Sequence, residues 1–305
     1  MIVCGAIDLG GTKIEARAFD ASLHTIEMKR IATPTTDFDA FMVGLCAQID
    51  WLYAISEQAD LPIGVSLAGI INPTTGIATA SNIPVSGHNI GAALKARYGR
   101  NIPLVNDCMA LAYSEANGGA GQDYPSVVGL IVGTGVGAGL CVGGTLPYRH
   151  SGLAVEIGHI GMSAQAVARH NLPLWSCGCG KTACMERYMS GSALTTLYEL
   201  KTNETCSGKD IAARSKAGEE IAQQVLSIWE DLAAECLFAI QLTLDPACIV
   251  LGGGASLIDG LIPRLAEALR QKQFSDTGQP EILLAQHGDS SGARGMALMA
   301  MKENT

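Results

Sequence analysis

Two hairpin patterns, one opening each half of the chain, constrain the fold more than any other feature of this sequence. The apolar run 3–7 leads into the turn 8–13 and a second apolar run, and the run 127–132 leads into the glycine-rich segment 133–139. Each pattern predicts strand, glycine turn and strand. A single tight hairpin is common in α/β proteins. Because two are present, we interpret their bare N–H groups as phosphate-binding loops.

The rest of the chain alternates between helical and strand patterns, which predicts a parallel-rich α/β core. Helical spacing covers 38–59, 90–98 and 109–116 in the first half, with strands at 63–67 and 102–105 and a left-handed cap at Gly99. The second half has an irregular insertion, helices near 189–200, 208–215 and 217–244, a strand at 248–251, and a tail helix at 292–301. The glycine-rich stretch 117–121 is the best break. We therefore predict one lobe from 1–117 plus 290–305 and a second from 118–289.

Composition excludes several classes of partner. The net charge is -9 and no run of lysines or arginines occurs, so we expect no nucleic-acid face. No secretory signal pattern opens the chain, and no apolar run approaches the length of a membrane span, so we expect no membrane partner. Most of the cysteines outside the segment 177–184 lie in apolar patterns (Cys4, Cys141, Cys236 and Cys248), as buried thiols of a reducing compartment do. The cytoplasm is the expected location.

Three cysteines and a histidine lie close together in the sequence, at Cys177, Cys179, Cys184 and His159. Three thiolates and an imidazole make a full tetrahedral set for structural Zn²⁺. Coincidence or a disulfide would be the alternative, although a bridge between Cys177 and Cys179 would be strained. The spacing favours zinc, and it would fix Glu156 and Glu186 near each other.

Two aspartates follow predicted strands, where α/β proteins place their active groups. Asp107 stands where a strand ends and a helix begins, so it is a candidate catalytic group or a plain helix N-cap. Asp8, beside the first glycine turn, is a turn residue or a carboxylate linked to a metal. Spacing alone leaves both alternatives open.

These motifs, in this order, resemble the ROK family of repressors, open-reading-frame proteins and sugar kinases, over essentially the whole chain. The segments 80–84, 124–125, 188–191 and 286–295 further resemble its bacterial N-acetyl-D-glucosamine kinases. The resemblance implies an α/β, two-lobed actin-like ATPase fold with a structural zinc site and with ATP and sugar in the cleft between the lobes. It also implies a homodimer.

Residue roles follow from the same resemblance. Asp107 is implied as the general base for the sugar 6-hydroxyl. The implied sugar contacts are Gly69, Asn82, Asn106, Asp107, Glu156, His159 and Glu186. The implied ATP-binding residues are Asp8, Gly10, Gly11, Thr12, Lys13, Gly133, Thr134, Gly135, Val136, Gly137, Ala138, Gly139, Gly252, Gly253 and Gly254. Mg²⁺ would bridge the phosphates, through water to Asp8, and Lys13 is either a phosphate contact or a solvated surface lysine.

The expected activity is ATP-dependent phosphorylation of the 6-hydroxyl of N-acetyl-D-glucosamine. Glucokinase, fructokinase and N-acetylmannosamine kinase are the alternatives within the family. A sugar-sensing regulator would place a winged-helix segment before the first strand, where this sequence begins, and a zinc-stabilised binding module would lack turnover. Two positions depart from the family: Ala183 replaces a glycine in a turn that needs positive φ, and Ala138 replaces a frequent glycine of the second phosphate loop.

Overall fold

A computed structural model describes residues 1–274 and 276–303 of the chain, and these form two compact units. The first unit comprises Met1–Ser114, Thr145–Ala154 and Asp289–Thr305, and the second comprises Glu115–Gly144 and Val155–Gly288. The predicted lobe boundaries stay a prediction, and the last two residues of the range 290–305 lie outside the described residues. Residues 145–154, which the prediction gave to the second lobe, belong to the first unit.

The first unit is built on a five-stranded sheet with the order β3-β2-β1-β4-β7. β2 runs antiparallel to β1 and β3, whereas β1, β4 and β7 are parallel. The elements are β1 (Cys4–Leu9), β2 (Lys13–Phe19), β3 (Thr25–Ala32), α1 (Phe38–Ser56), β4 (Ile63–Leu67), β5 (Ile70–Ile71), β6 (Ala78–Thr79), α2 (Ile90–Tyr98), β7 (Leu104–Asn106), α3 (Asp107–Ala116) and, from the chain end, α10 (Ser291–Glu303).

Two helices cover the faces of this sheet. α1 buries Phe41, Leu45 and Ile49 in one core, at the helical spacing seen in the sequence. α10 lies on β4 so closely that a Cβ on Gly64 would come 2.5 Å from the carbonyl oxygen of Met296. That position must therefore be glycine, and the close approach fixes the helix against the central strand.

The second unit repeats part of this plan in the order β11-β10-β8-β9, with β9 antiparallel to β8 and the other neighbours parallel. The elements are β8 (Ser126–Val132), β9 (Val136–Val142), α4 (Ala164–Arg169), α5 (Glu186–Met189), α6 (Gly191–Thr202), α7 (Gly208–Lys216), α8 (Glu220–Leu244), β10 (Cys248–Gly252), α9 (Leu261–Arg270) and β11 (Glu281–Leu284), with a 3₁₀ turn at Ile157–His159. Its core holds Trp229, Tyr188 and Leu237, among others.

The internal repeat predicted from the two hairpins is confirmed at the level of topology. In each unit an antiparallel hairpin is extended on its first strand by two parallel strands, so β2-β1-β4-β7 corresponds to β9-β8-β10-β11. The strand 63–67 and the helix 90–98 occur at their predicted bounds, and Gly99 caps α2 with φ 70. The strand predicted at 102–105 instead runs from Leu104 to Asn106.

One helix has the length and composition of a possible membrane span. α1 has 19 residues, and an 18-residue window of it has a mean hydropathy of 1.3. Asp39 and Asp50 interrupt its apolar residues, so the expectation that no apolar run approaches a span stays a prediction. The buried face of α1 packs in the core of the first unit, as core helices that pass the same test do.

Candidate active site and metal centre

The carboxyl ends of β1, β4 and β7 bring a group of polar side chains together in the first unit. Asp8 on β1 is in register with Ser66 on β4, and Asn106 ends β7 in register with Leu67. The Ser66 hydroxyl donates a 2.8 Å hydrogen bond to Asp8 Oδ1. Asp107 follows Asn106 as the first residue of α3. Parallel strands thus place both predicted aspartates at one edge of one sheet, where ligands of α/β proteins bind.

Asn106, rather than Asp107, caps the helix that starts here. Its Oδ1 accepts from the backbone N of Cys108 at 2.9 Å, as an N-cap side chain does. The Asn106 amide also donates to the carbonyl of Gly69 at 3.1 Å. Asp107 Oδ1 accepts from the same Cys108 N–H at 2.9 Å, and its carboxylate stands in the first helical turn. Because Asn106 fills the N-cap role, the interpretation of Asp107 as a plain N-cap is not needed.

Burial and a neighbouring carboxylate change the acidity of this pair. Burial, and then the charge of Asp8, raise the pKa of Asp107 to about 6. Burial also raises the pKa of Asp8, against the hydrogen bond from Ser66, which lowers it. Carboxylate oxygens are the protein ligands that Mg²⁺ prefers. The donor set therefore fits a hydrated Mg²⁺.

The other predicted sugar and phosphate residues of the first unit lie around the first glycine turn. A Cβ on Gly11 would lie 3.0 Å from the Asn82 side chain, so Asn82 is beside the tip of the hairpin. Gly10 donates to the carbonyl of Lys13 at 3.0 Å and closes that tip. The Lys13 ammonium lies 3.7 Å from buried Glu15, which also binds Arg17 and Arg30. Lys13 is thus held by an ion pair rather than fully solvated.

In the second unit, two of the predicted phosphate turns lie side by side. The turn 133–135 follows β8, and Gly133 accepts from the N–H of Gly191 at 2.7 Å, at the start of α6. The turn after β10 is adjacent, since a Cβ on Gly253 would lie 2.6 Å from the carbonyl oxygen of Val132. These N–H-rich turns at neighbouring strand ends can bind phosphate oxygens.

The interpretation of 133–139 as one glycine loop is wrong beyond residue 135. β9 begins at Val136, and Gly137, Ala138 and Gly139 pair with β8. The N–H of Val136 donates to Glu186 at 3.0 Å, and that of Ala138 donates to Val155 at 3.1 Å. Ala138 is fully buried in the strand, so its departure from glycine does not affect the turn.

A cavity of about 1300 Å³ extends from these turns within the second unit. Gly133, Thr134 and Gly254 line one part of it, and α6 to α9 line the rest. The helical lining includes Leu194, Lys209, Ala213, Lys216, Gln223, Glu230, Asp259 and Arg264. These residues were missed by sequence reasoning. The only signal was the pair of serine-glycine helix starts, with Ser190 and Ser207 as N-caps of α6 and α7.

The four predicted metal ligands form one cluster in the second unit. Their ligand atoms all lie within 4.8 Å of one another. Cys177 Sγ is 3.8 Å from His159 Nδ1, and the sulfurs of Cys179 and Cys184 are 3.6 Å apart. Ligands about 2.3 Å from a tetrahedral Zn²⁺ would be about 3.8 Å apart, so the geometry fits that ion. The sulfur separation is too long for a disulfide, and all four residues form a group that can hold a metal ion.

Two predicted carboxylates flank this cluster. Glu186 Oε1 lies 3.9 Å from Cys177 Sγ, while Glu186 Oε2 accepts from Val136 N. A Cβ on Gly135 would lie 2.5 Å from Glu186 Oε2, so a side chain at this position would displace the carboxylate from the turn. Glu156 precedes the 3₁₀ turn that carries His159. The expected strain at Ala183 is confirmed, since its φ is 57.

The fold is that of the sugar kinases of the actin-like ATPase class. The ROK family model matches residues 4–303, and the chain belongs to the ROK family.

Relatives and solved structures agree with this membership. The chain is 35% identical to the N-acetylgalactosamine kinase of Shewanella sp. (strain ANA-3), over 96% of this chain and 95% of that one. It is also 35% identical to the N-acetyl-D-glucosamine kinase of Haemophilus influenzae (strain 86-028NP), over 96% and 97%. The structure of a ROK family glucokinase from Streptomyces griseus with glucose and AMPPNP superposes with a TM-score of 0.82 at 25% identity, covering 98% and 99% of the two chains.

Proposed function

We propose that this protein is an ATP-dependent N-acetylhexosamine kinase that phosphorylates the 6-hydroxyl of N-acetyl-D-glucosamine. The observation that carries the reaction type is the Asp107 carboxylate, placed at the strand ends beside Asp8 and with a pKa raised to about 6. A general base is most effective when its pKa is near the working pH. The sugar class is supported by the names of the two relatives at 35% identity.

The proposed reaction is a direct phosphoryl transfer. Asp107 accepts the proton of the sugar 6-hydroxyl while the 6-oxygen bonds to the γ-phosphorus of ATP. The bond from the γ-phosphorus to the oxygen that bridges the β- and γ-phosphates breaks, and ADP is released. Phosphoryl transfer depends mainly on positioning and charge stabilisation, so the base aligns the nucleophile as well as taking its proton. Asn106 is held by its bonds to Gly69 and Cys108, which support its proposed contact with ring hydroxyls.

The proposed binding site for the ATP phosphates and nucleoside lies in the second unit. We assign the ATP phosphates to the turns 133–135 and 252–254, and the nucleoside to the 1300 Å³ cavity that begins at Gly133. In the first unit, Asp8 and the turn 10–13 are proposed as phosphate and Mg²⁺ contacts. When bound, Mg²⁺ neutralises developing charge on the phosphates. Val136 to Gly139 are left out of this assignment because they form a strand.

We further propose that the Cys₃His cluster holds a structural Zn²⁺. Its chemistry would be structural only, since four protein ligands leave no open position. His159 would bind the metal through Nδ1, the nitrogen that faces Cys177. That orientation leaves its Nε2 for a sugar hydroxyl, beside the proposed sugar contacts Glu156 and Glu186.

A panel of five sugars with ATP tests the assignment: N-acetylglucosamine, N-acetylgalactosamine, N-acetylmannosamine, glucose and fructose. ADP release gives kcat/KM for each, and the ³¹P–¹H coupling of the product identifies the phosphorylated oxygen. We expect N-acetylglucosamine to have the highest kcat/KM and to yield the 6-phosphate. Preference for glucose would refute the amino-sugar assignment, and absence of ADP release with all five would refute the kinase.

N-Acetylgalactosamine is the second candidate substrate, since one relative at 35% identity is named for it. The two sugars differ only in the configuration of the 4-hydroxyl. A site that binds that hydroxyl through buried polar groups separates epimers strongly, because the wrong epimer leaves a group unpaired. The ratio of the two kcat/KM values therefore decides between them.

We also propose that the enzyme is a cytoplasmic homodimer. Buried free thiols such as Cys4, Cys236 and Cys248 support a reducing compartment. Light scattering of the purified protein tests the dimer, and a monomeric mass at micromolar concentration would refute it.

A further inference from the structure

The buried hydroxyl of Ser66 lies beside the proposed catalytic pair and takes no part in the proposed reaction. Ser66 is 0% exposed in β4, a strand whose five residues, Ile-Gly-Val-Ser-Leu, are all buried. It is the one polar side chain of that strand. A hydroxyl in such a place must find a partner, since an unbonded one would destabilise the fold.

The partner that Ser66 has is a carboxylate rather than the backbone. Its Oγ lies 2.8 Å from Asp8 Oδ1, whereas the backbone carbonyl of Ile7 is 3.4 Å away. Register explains this choice, because Asp8 and Ser66 are directly paired across the parallel strands β1 and β4. Their side chains therefore leave the sheet on the same face at the same level.

We propose that Ser66 is a positioning residue that orients the Asp8 carboxylate for the hydrated Mg²⁺ of the nucleotide. The inference rests on the proposed function. The hydrogen bond occupies Oδ1 and fixes the carboxylate plane, so the remaining lone pairs keep one direction. Mg²⁺ demands nearly ideal octahedral geometry and keeps several waters, so its binding is sensitive to that direction.

The cross-strand neighbour on the other side strengthens the need for an anchor. Asp8 pairs with Glu15 on β2, a second buried carboxylate, which is itself held by Arg17 and Arg30. Glu15 repels the ionised Asp8 carboxylate, whereas Lys13 and Arg17 attract it, and the Ser66 hydroxyl adds a directional hydrogen bond that these charges do not supply.

Three variants test the proposal. Ser66→Ala removes the donor, and Ser66→Thr keeps a hydroxyl. Ser114→Ala is the matched control, because Ser114 is also 0% exposed in the first unit but contacts Arg294 instead of an aspartate. Titration calorimetry with ADP at several Mg²⁺ concentrations measures metal-dependent nucleotide binding without turnover. Kinetics with ATP then gives kcat and the Mg²⁺ concentration for half-maximal rate.

We expect Ser66→Ala to weaken Mg²⁺-dependent ADP binding about tenfold, the usual effect of losing a hydrogen bond to a charged group. The Mg²⁺ concentration for half-maximal rate should rise by a similar factor, with the sugar KM unchanged. Ser66→Thr should recover most of the loss, and Ser114→Ala should bind as the wild type does.

Equal Mg²⁺ dependence in Ser66→Ala and the wild type would overturn the proposal, as would equal losses in the two alanine variants. If Ser66→Thr does not fold, the comparison of the alanine variants still decides. A wild-type protein that binds Mg²⁺ and ADP but phosphorylates none of the five sugars would refute the proposed function, while the calorimetry would still judge Ser66.

Discussion

Replacing Asp107 by asparagine separates its chemical role from its structural one. The amide keeps the size and the acceptor oxygen of the carboxylate but cannot take a proton. General-base catalysis is typically worth about 10²–10⁴-fold, so kcat should fall by that factor, about 3–5 kcal/mol in activation free energy. The sugar KM should change little.

The pH dependence of kcat/KM tests the role of Asp107 independently of the variant. With a pKa of about 6, Asp107 is the active base above that pH and is protonated below it. At pH 5 about a tenth of the molecules would carry the carboxylate, so kcat/KM should drop about tenfold between pH 7 and pH 5. Asp107→Asn should lose this dependence.

Asp107→Asn should raise the free energy of unfolding although it lowers kcat. The folded pKa is raised above the value of 3.8, so folding takes up a proton between about pH 4 and pH 6, and the ionised carboxylate destabilises the fold above that window. About two pKa units correspond to about 3 kcal/mol at pH 7.5 and about half of that at pH 5, as upper bounds. Asp107→Asn should therefore raise the free energy of unfolding, and more at pH 7.5.

Initial rates over pH 5–8 and urea unfolding at pH 5 and 7.5 measure both effects. Exposed Asp60 lies in the same unit, and Asp60→Asn is the control for a charge change alone. The reasoning is refuted if Asp107→Asn retains wild-type kcat, or if wild-type kcat/KM is constant down to pH 5. Loss of activity together with loss of stability would instead indicate a structural role for Asp107.

Three further outcomes are expected. Plasma emission spectroscopy should find about one zinc per chain in the wild type and much less in Cys177→Ser, whereas Cys206→Ser, a buried thiol outside the cluster, should keep its zinc. Glu186→Gln should keep zinc and raise the sugar KM about tenfold or more, since a charged acceptor is lost, and an unchanged KM would remove it from the sugar site. Ala183→Gly should raise the unfolding free energy by up to about 1 kcal/mol by relieving a left-handed φ, whereas Ala217→Gly, at φ -78, should not. Equal effects of the two glycine variants in urea unfolding would contradict this account of the strain.

Local signals predicted the elements with regular periods and clear ends. The helix 90–98 has Asn89 as its N-cap and Gly99 in the left-handed conformation, so both ends could be read from the sequence. β3 was missed because it is an edge strand without a buried face. Most of its residues are exposed, and Glu27, Lys29 and Arg30 are charged. α9 was missed although it is amphipathic, since Pro263 interrupts the usual helical signal near its start.

The members of the metal cluster were predictable from the sequence, but the contacts around the two aspartates were not. Chain order and spacing grouped the metal ligands, because their turns are short. The pairing of Asp8 with Ser66, and the charge of Asp8 acting on Asp107, depend on strand order β1-β4-β7 and on residues far apart in the chain. The cavity depends on four helices meeting, which no local pattern encodes. The sequence did not predict N-acetylgalactosamine as a substrate, because no local pattern distinguishes it from its epimer N-acetylglucosamine.

One carboxylate joins the Cys₃His cluster to the turn 133–135, and this would couple the proposed structural metal to the proposed phosphate site. Glu186 follows Cys184 by two residues, lies 3.9 Å from Cys177 Sγ, and accepts the N–H of Val136 directly after the turn 133–135. A side chain at position 135 would displace this carboxylate. Losing the metal would free the loop that carries Glu186, and the turn would lose its anchor. We therefore expect chelation to weaken ATP binding as well as sugar binding, although none of the four predicted metal ligands lines the proposed nucleotide cavity.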